Sequence, residues 1–90
     1  MGARGSGRKP SPIQPTTLAA ARVLEYCNDN SLYHSDVARA LGVDVGNFRK
    51  VLCGERRPSL EVAVAVEEML NIPVRQWVEE LANPPIIVQE

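Results

Sequence analysis

Residues 34 to 54, HSDVARALGVDVGNFRKVLCG, decide how this chain is read. Val37, Ala38 and Leu41 recur at helical spacing, Gly42 breaks the period, and a second helix restarts at Asp44 or Val45. On that second helix Phe48, Val51 and Leu52 fall on one side, with Gly46, Arg49, Lys50 and Cys53 on the other. The stretch therefore reads as two short helices joined by a tight turn, one side packed and the other offered outward.

Each residue type in it has a physical reason. Ala38 leaves room for the second helix to cross close over the first, and Gly42 can take the positive φ that ends a helix and redirects the chain. Asp44 can accept hydrogen bonds from the free amides of the next helix, and Gly54 can close its far end. The set Ala38, Gly42, Val43, Phe48 and Val51 resembles the helix-turn-helix of the phage Cro and repressor family, also called the XRE family. Past the motif, Gly54-Glu55-Arg56-Arg57-Pro58-Ser59-Leu60 looks like that family's loop from recognition helix to fourth helix. Asn71-Ile72-Pro73-Val74, followed by Trp77, sits where members turn into a fifth helix. The resemblance covers Thr17 to Leu81 and implies an all-α fold, a compact five-helix lambda-repressor-like DNA-binding domain.

Length and composition agree with one such domain. A chain of 90 residues buries only roughly 60% of its unfolded surface, so its stability is expected to be modest. No run approaches the roughly 20 apolar residues of a membrane span, and the N-terminus lacks the apolar core of a signal peptide, which makes a cytoplasmic protein the expectation. Cys27 and Cys53 are read as two reduced thiols rather than a disulfide. With one histidine and no Cys-x-x-Cys, neither a metal nor another cofactor is expected. The net charge of −1 hides a division: residues 1–57 hold nine Lys/Arg against five Asp/Glu, net +4, and residues 58–90 hold one against six, net −5. A local positive field around the motif, and an acidic half turned away from it or toward a partner, follow from that split.

In chain order, residues 1–15 form a basic N-terminal arm rich in Gly, Pro and Ser, expected to be flexible. Gly7-Arg8-Lys9-Pro10 resembles an AT-hook core, in which an arginine lies in a narrow minor groove; a plain flexible tail is the other reading. The domain proper spans 16–82. Thr16 or Thr17 caps a first helix that runs to Cys27, with Arg22 and Glu25 on its solvated outer side. The second helix starts with Tyr33, His34 or Ser35 as its cap, and Ser59 caps a fourth helix over Leu60 to Leu70 that Asn71 stops. Pro73 opens a short fifth helix through Leu81, whose Trp77, Val78 and Leu81 give it an apolar face. Residues 83–90 form a tail whose Ile86, Ile87 and Val88 either fray or pair with a second copy as a short dimerisation strand, with Trp77 contributing to the same contact.

The resemblance assigns base reading to Val45, Gly46, Asn47, Arg49 and Lys50. Arg49 could offer guanine a bidentate pair of donors, Asn47 could serve adenine or a phosphate, and Val45 could meet a thymine methyl. It assigns phosphate contacts to His34, Ser35, Arg56 and Arg57, joined by Arg4, Arg8 and Lys9 of the arm. The implied function is that of a prokaryotic or phage repressor or autoregulator, a homodimer on a pseudopalindromic site in double-stranded DNA. The alternative is an antitoxin or adaptor in which the acidic C-terminal half binds another protein. Catalysis finds no support, since no nucleophile–base pair, paired acids or Gly-rich phosphate loop is visible.

Overall fold

In the computed structural model, which describes residues 11–89, each helix begins at a side chain that satisfies its free amides. For helix α1 (Leu18–Asp29) the cap is Thr17, whose Oγ1 accepts from the Ala20 amide at 3.2 Å. Helix α2 (His34–Leu41) is capped at Tyr33, but from the opposite direction: the Tyr33 amide donates to Asp36 Oδ2 at 2.8 Å. Asp44 Oδ2 accepts from the Asn47 amide at 3.0 Å to start helix α3 (Val45–Leu52). Ser59 Oγ accepts from the Val62 amide at 3.2 Å to start helix α4 (Leu60–Leu70).

Each helix is also followed by a residue in the left-handed region: Ser31 (φ 56), Gly42 (φ 76), Gly54 (φ 84) and Asn71 (φ 60). The first three carry the same pair of backbone bonds, in which the left-handed residue and its successor both donate back into the last turn. For α2 these are Gly42 N to Arg39 O at 3.1 Å and Val43 N to Ala38 O at 3.0 Å; for α3 they are Gly54 N to Val51 O at 3.2 Å and Glu55 N to Lys50 O at 2.9 Å. Asn71 closes α4 with one bond, to Glu67 O at 2.8 Å. The chain thus turns sharply after each helix, with carbonyls of the last turn accepting these bonds.

The core forms around α1. Ala19, Ala20, Val23, Leu24 and Cys27 have no exposed surface, and they meet Val37 and Ala38 of α2, Phe48 and Leu52 of α3, Ala63 and Val66 of α4, Ile72 and Trp77. Alanines at 19, 20 and 38 let backbones approach closely where larger residues would hold them apart. Arg22, exposed as expected, also donates from Nη1 to Gln76 Oε1 at 2.9 Å and ties α1 to the segment after α4. No helix among the described residues is long and apolar enough to cross a membrane.

The expected fifth helix is a single 3-10 turn, Val74–Val78, so the described residues hold four α-helices. The cause lies at the other end of the chain. The Glu79 carbonyl accepts from the Leu18 amide at 2.8 Å, the Leu81 amide donates to Thr16 O at 2.9 Å, and Thr17 and Glu80 form an antiparallel bridge. Those bonds draw residues 79–81 out of a helix and into extended pairing.

The same pairing continues outward. Strand β1 (Ser11–Ile13) runs antiparallel to strand β2 (Ile87–Gln89), with Ser11 opposite Gln89 and Ile13 opposite Ile87. Residues 11–15, expected within a flexible arm, are therefore built into the domain, and Ile13 and Pro15 are buried. The tail strand expected to pair with a second copy pairs with β1 of its own chain. Trp77, expected at a dimer contact, is 7% exposed and part of the monomer core.

Arg49 holds this terminal clasp against α3, donating from Nη2 to the Pro12 carbonyl at 3.2 Å. Pro12 has no N–H to offer, so its carbonyl is its only backbone handle. An exposed bond of this kind contributes at most about 1 kcal/mol to global stability. Arg49→Ala is expected to leave the melting transition nearly unchanged while amide exchange in residues 11–13 and 87–89 speeds up more than in α1; equal acceleration in both would refute a local clasp.

The two left-handed glycines should respond unequally to a methyl group. At Gly42 an added Cβ meets nothing within 4 Å, so Gly42→Ala should cost about 1 kcal/mol from the backbone conformation alone. At Gly54 it would run into the Thr16 hydroxyl, and Gly54→Ala should cost about 2 kcal/mol or more. Chemical denaturation of both variants checks the order, which fails if Gly42→Ala is the more damaging.

Candidate functional site

The outward face of α3 follows from what anchors the helix. Phe48 and Leu52 are buried, and Val45 and Val51 pack half-buried against the same core. What remains toward solvent is a stripe at one helical repeat, Gly46, Asn47 and Lys50, all exposed. Asp44 stands exposed at the head of the helix, where its carboxylate is occupied in capping. A Cβ at position 46 would lie 3.2 Å from that capping Oδ2, so Gly46 keeps the cap uncrowded.

Beyond α3 the loop is held by backbone bonds. The Lys50 carbonyl accepts from the Glu55 amide at 2.9 Å and the Arg56 amide at 3.3 Å, which fixes the path of a loop whose Arg56 and Arg57 side chains are exposed. Lys50, Arg56 and Arg57 thus present positive charge from α3 and from the loop that leaves it, with Glu55 and Asp44 as the nearest acidic residues in sequence. Between α3 and the start of α4 lies an open groove of about 310 Å³, with Phe48, Val51 and Val62 among its apolar walls and Asn47, Arg56 and Arg57 among its polar ones. A second groove, about 290 Å³, runs between this loop and the 3-10 turn and is walled by Thr16, Gly54, Arg56, Arg57, Trp77 and Glu80.

The sequence-derived site residues divide accordingly. Gly46, Asn47 and Lys50 share the exposed stripe, and Arg56 and Arg57 flank it. Val45 is turned partly into the core. Arg49, expected to read bases, is half-buried and donates from Nη2 to the Pro12 carbonyl of β1 through an exposed bond. His34, expected on a phosphate, is 8% exposed and belongs to the buried set, while Ser35 is half-buried. The reason is the start of α2: with Tyr33 as cap, His34 becomes the first residue of the helix and faces the interior. Arg4, Arg8 and Lys9, and with them the AT-hook-like reading of residues 7–10, lie outside the described residues. Ile86 and Val88 are exposed, and Ile87 packs partly against the core.

Sequence reasoning missed three participants. Pro12 supplies the acceptor for Arg49, Thr16 supports the far end of α3 through its amide, which donates to Leu52 O at 3.4 Å, and Gln76 binds Arg22. Each acts across 30 or more positions of sequence, which no local pattern encodes. No cluster of three or more His, Cys, Asp or Glu able to hold a metal ion is present among the described residues, and no disulfide joins Cys27 to Cys53. No protein-family model, curated protein or solved structure matches the chain, so these residues carry the functional reading by themselves.

Proposed function

We propose that this chain is a sequence-specific DNA-binding transcriptional regulator, using α2 and α3 as a helix-turn-helix and acting as a homodimer on a pseudopalindromic site. The observation that carries the reading is the pairing of an eight-residue helix exposing Gly46, Asn47 and Lys50 with a loop exposing Arg56 and Arg57. An α-helix fits the major groove of B-form DNA, and donors beside it meet the flanking phosphates. Lys50 donates to guanine O6 or N7, Asn47 to adenine or a phosphate, and Gly46 lets the backbone approach closely. Two copies would set their α3 helices about 34 Å apart on one face of the duplex. Occupied promoter sites would exclude polymerase, which makes repression or autoregulation in the cytoplasm the expected output.

A second reading has one observation in its favour. Glu61, Glu67, Glu68, Glu79 and Glu80 are all exposed in the half that also exposes Leu60, Val78 and Ile86. An acidic surface with apolar positions in it suits an antitoxin or adaptor that binds a basic protein partner.

Selection of bound sequences from a random duplex pool, repeated with two variants, separates these readings. Wild-type protein should recover two-fold symmetric sites. Lys50→Ala should weaken the selected site about 10- to 100-fold and relax one base position per half-site. Arg57→Ala should weaken all duplexes alike and lower the salt slope by about 1. Recovery of no preferred sequence at moderate ionic strength would refute the DNA-reading role and leave the acidic surface as the functional one.

A further inference from the structure

The open groove between α3 and the start of α4 combines an apolar lining with two arginines. Val43 from the turn before α3, Val51 of α3, Pro58, and Val62 of α4 all border it, and each is only half-buried. Apolar surface from several segments therefore meets water in one concave space, and an apolar group that fills the space releases that water. Arg56 and Arg57, both exposed, line the same groove. Asp44 is the one acidic residue among its walls, and Asp44 Oδ2 already accepts from the Asn47 amide at 3.0 Å. Two guanidinium groups against one carboxylate leave an excess of positive charge, and guanidinium donors match a carboxylate in shape as well as in sign. The volume, about 310 Å³, lies at the lower end of the range of small-molecule sites, roughly 300–1,000 Å³.

We infer that this groove binds a small carboxylate with an apolar body, the body against Val43, Val51 and Val62 and the charge with Arg56 and Arg57. The loop needs little ordering to receive it, because the Lys50 carbonyl already accepts from the Glu55 and Arg56 amides. The site also bears on the DNA-binding function proposed above, and this consequence rests on that reading. Asn47 belongs both to the groove and to the exposed stripe of α3, and Arg56 and Arg57 are the donors assigned to flanking phosphates. A bound carboxylate takes those donors from the phosphates, so ligand and duplex exclude each other.

The test uses the full chain with isotope-labelled valine methyl groups and three probes. Hexanoate carries both body and charge, 1-hexanol the body alone, and acetate the charge alone. Hexanoate should shift the Val43, Val51 and Val62 methyls saturably with a Kd of about 1 mM, while Val64, exposed on α4 and outside the groove, stays still. Acetate and 1-hexanol should each bind about tenfold more weakly, and Arg57→Ala should bring hexanoate down to the level of 1-hexanol. Equal binding of hexanoate and 1-hexanol by the unaltered protein overturns the carboxylate site, as does a shift that is unsaturable or as large at Val64. Saturating hexanoate should also weaken binding of the selected duplex about tenfold, and an unchanged duplex affinity overturns the exclusion. Saturable groove shifts in a protein that selects no duplex support the carboxylate site and remove the DNA-reading role.

Discussion

The structure depends on one buried helix face. Helices of eight residues are too short to persist alone in water, where roughly 12–15 residues are marginal. α2 and α3 each have eight, so both exist only because they dock. What they dock against is α1, whose Ala19, Ala20, Val23, Leu24 and Cys27 are wholly enclosed and which packs against α2, α3, the 3-10 turn and β2. Phe48 and Leu52 are the two fully buried residues of α3 in this core, with Val45 and Val51 packed beside them, and the opposite side of the helix stays exposed.

Position along the chain is then set by the helix ends. A left-handed residue after each helix returns the chain at once, and the paired backbone bonds at Gly42 and Gly54 leave little freedom between α2, α3 and the loop beyond. Groups that act on a ligand gain most when rigid elements hold them. Arg56 and Arg57 benefit in this way, since the Lys50 carbonyl clamps the amides of Glu55 and Arg56. Ser31 shows the same turn built without glycine, which demonstrates that the sequence tolerates a strained conformation where the docking of α1 and α2 demands it.

Local chemistry was legible in the sequence, and distant pairing was not. Thr17, Asp44 and Ser59 cap the helices for which a hydroxyl or carboxylate predicts a start, Gly42 and Asn71 stop them, and α4 spans Leu60–Leu70 as its pattern requires. These depend on neighbours within four residues. The fifth helix failed because the amide of Leu18 and the carbonyl of Thr16, some 60 positions away, compete for the backbone of residues 79–81 and win. β1 and β2 were beyond reach for a related reason: strands of three residues, one containing Pro12, show no alternation to detect, and their pairing joins opposite ends of the chain. The exposed stripe of α3 was half visible. Periodicity separates Phe48 from Lys50, but it does not say what a long side chain will grasp.

Arg49 illustrates that limit and redistributes the proposed recognition. Its place on α3 suits groove reading, yet its guanidinium reaches back to the Pro12 carbonyl, so the same residue that looks like a reader helps to close the termini. With Arg49 so engaged and Val45 partly in the core, the exposed reading surface narrows to Lys50, Asn47 and the bare backbone at Gly46. On the proposed reading, so few base-directed groups would yield modest discrimination in one copy, which would favour two copies on a symmetric site over a monomer on a short one. Affinity would then rest mainly on Lys50, Arg56 and Arg57, exposed side chains in a protein whose overall charge is −1. Exposed charges of this kind are screened by added salt, so the DNA binding proposed for this face would weaken as ionic strength rises.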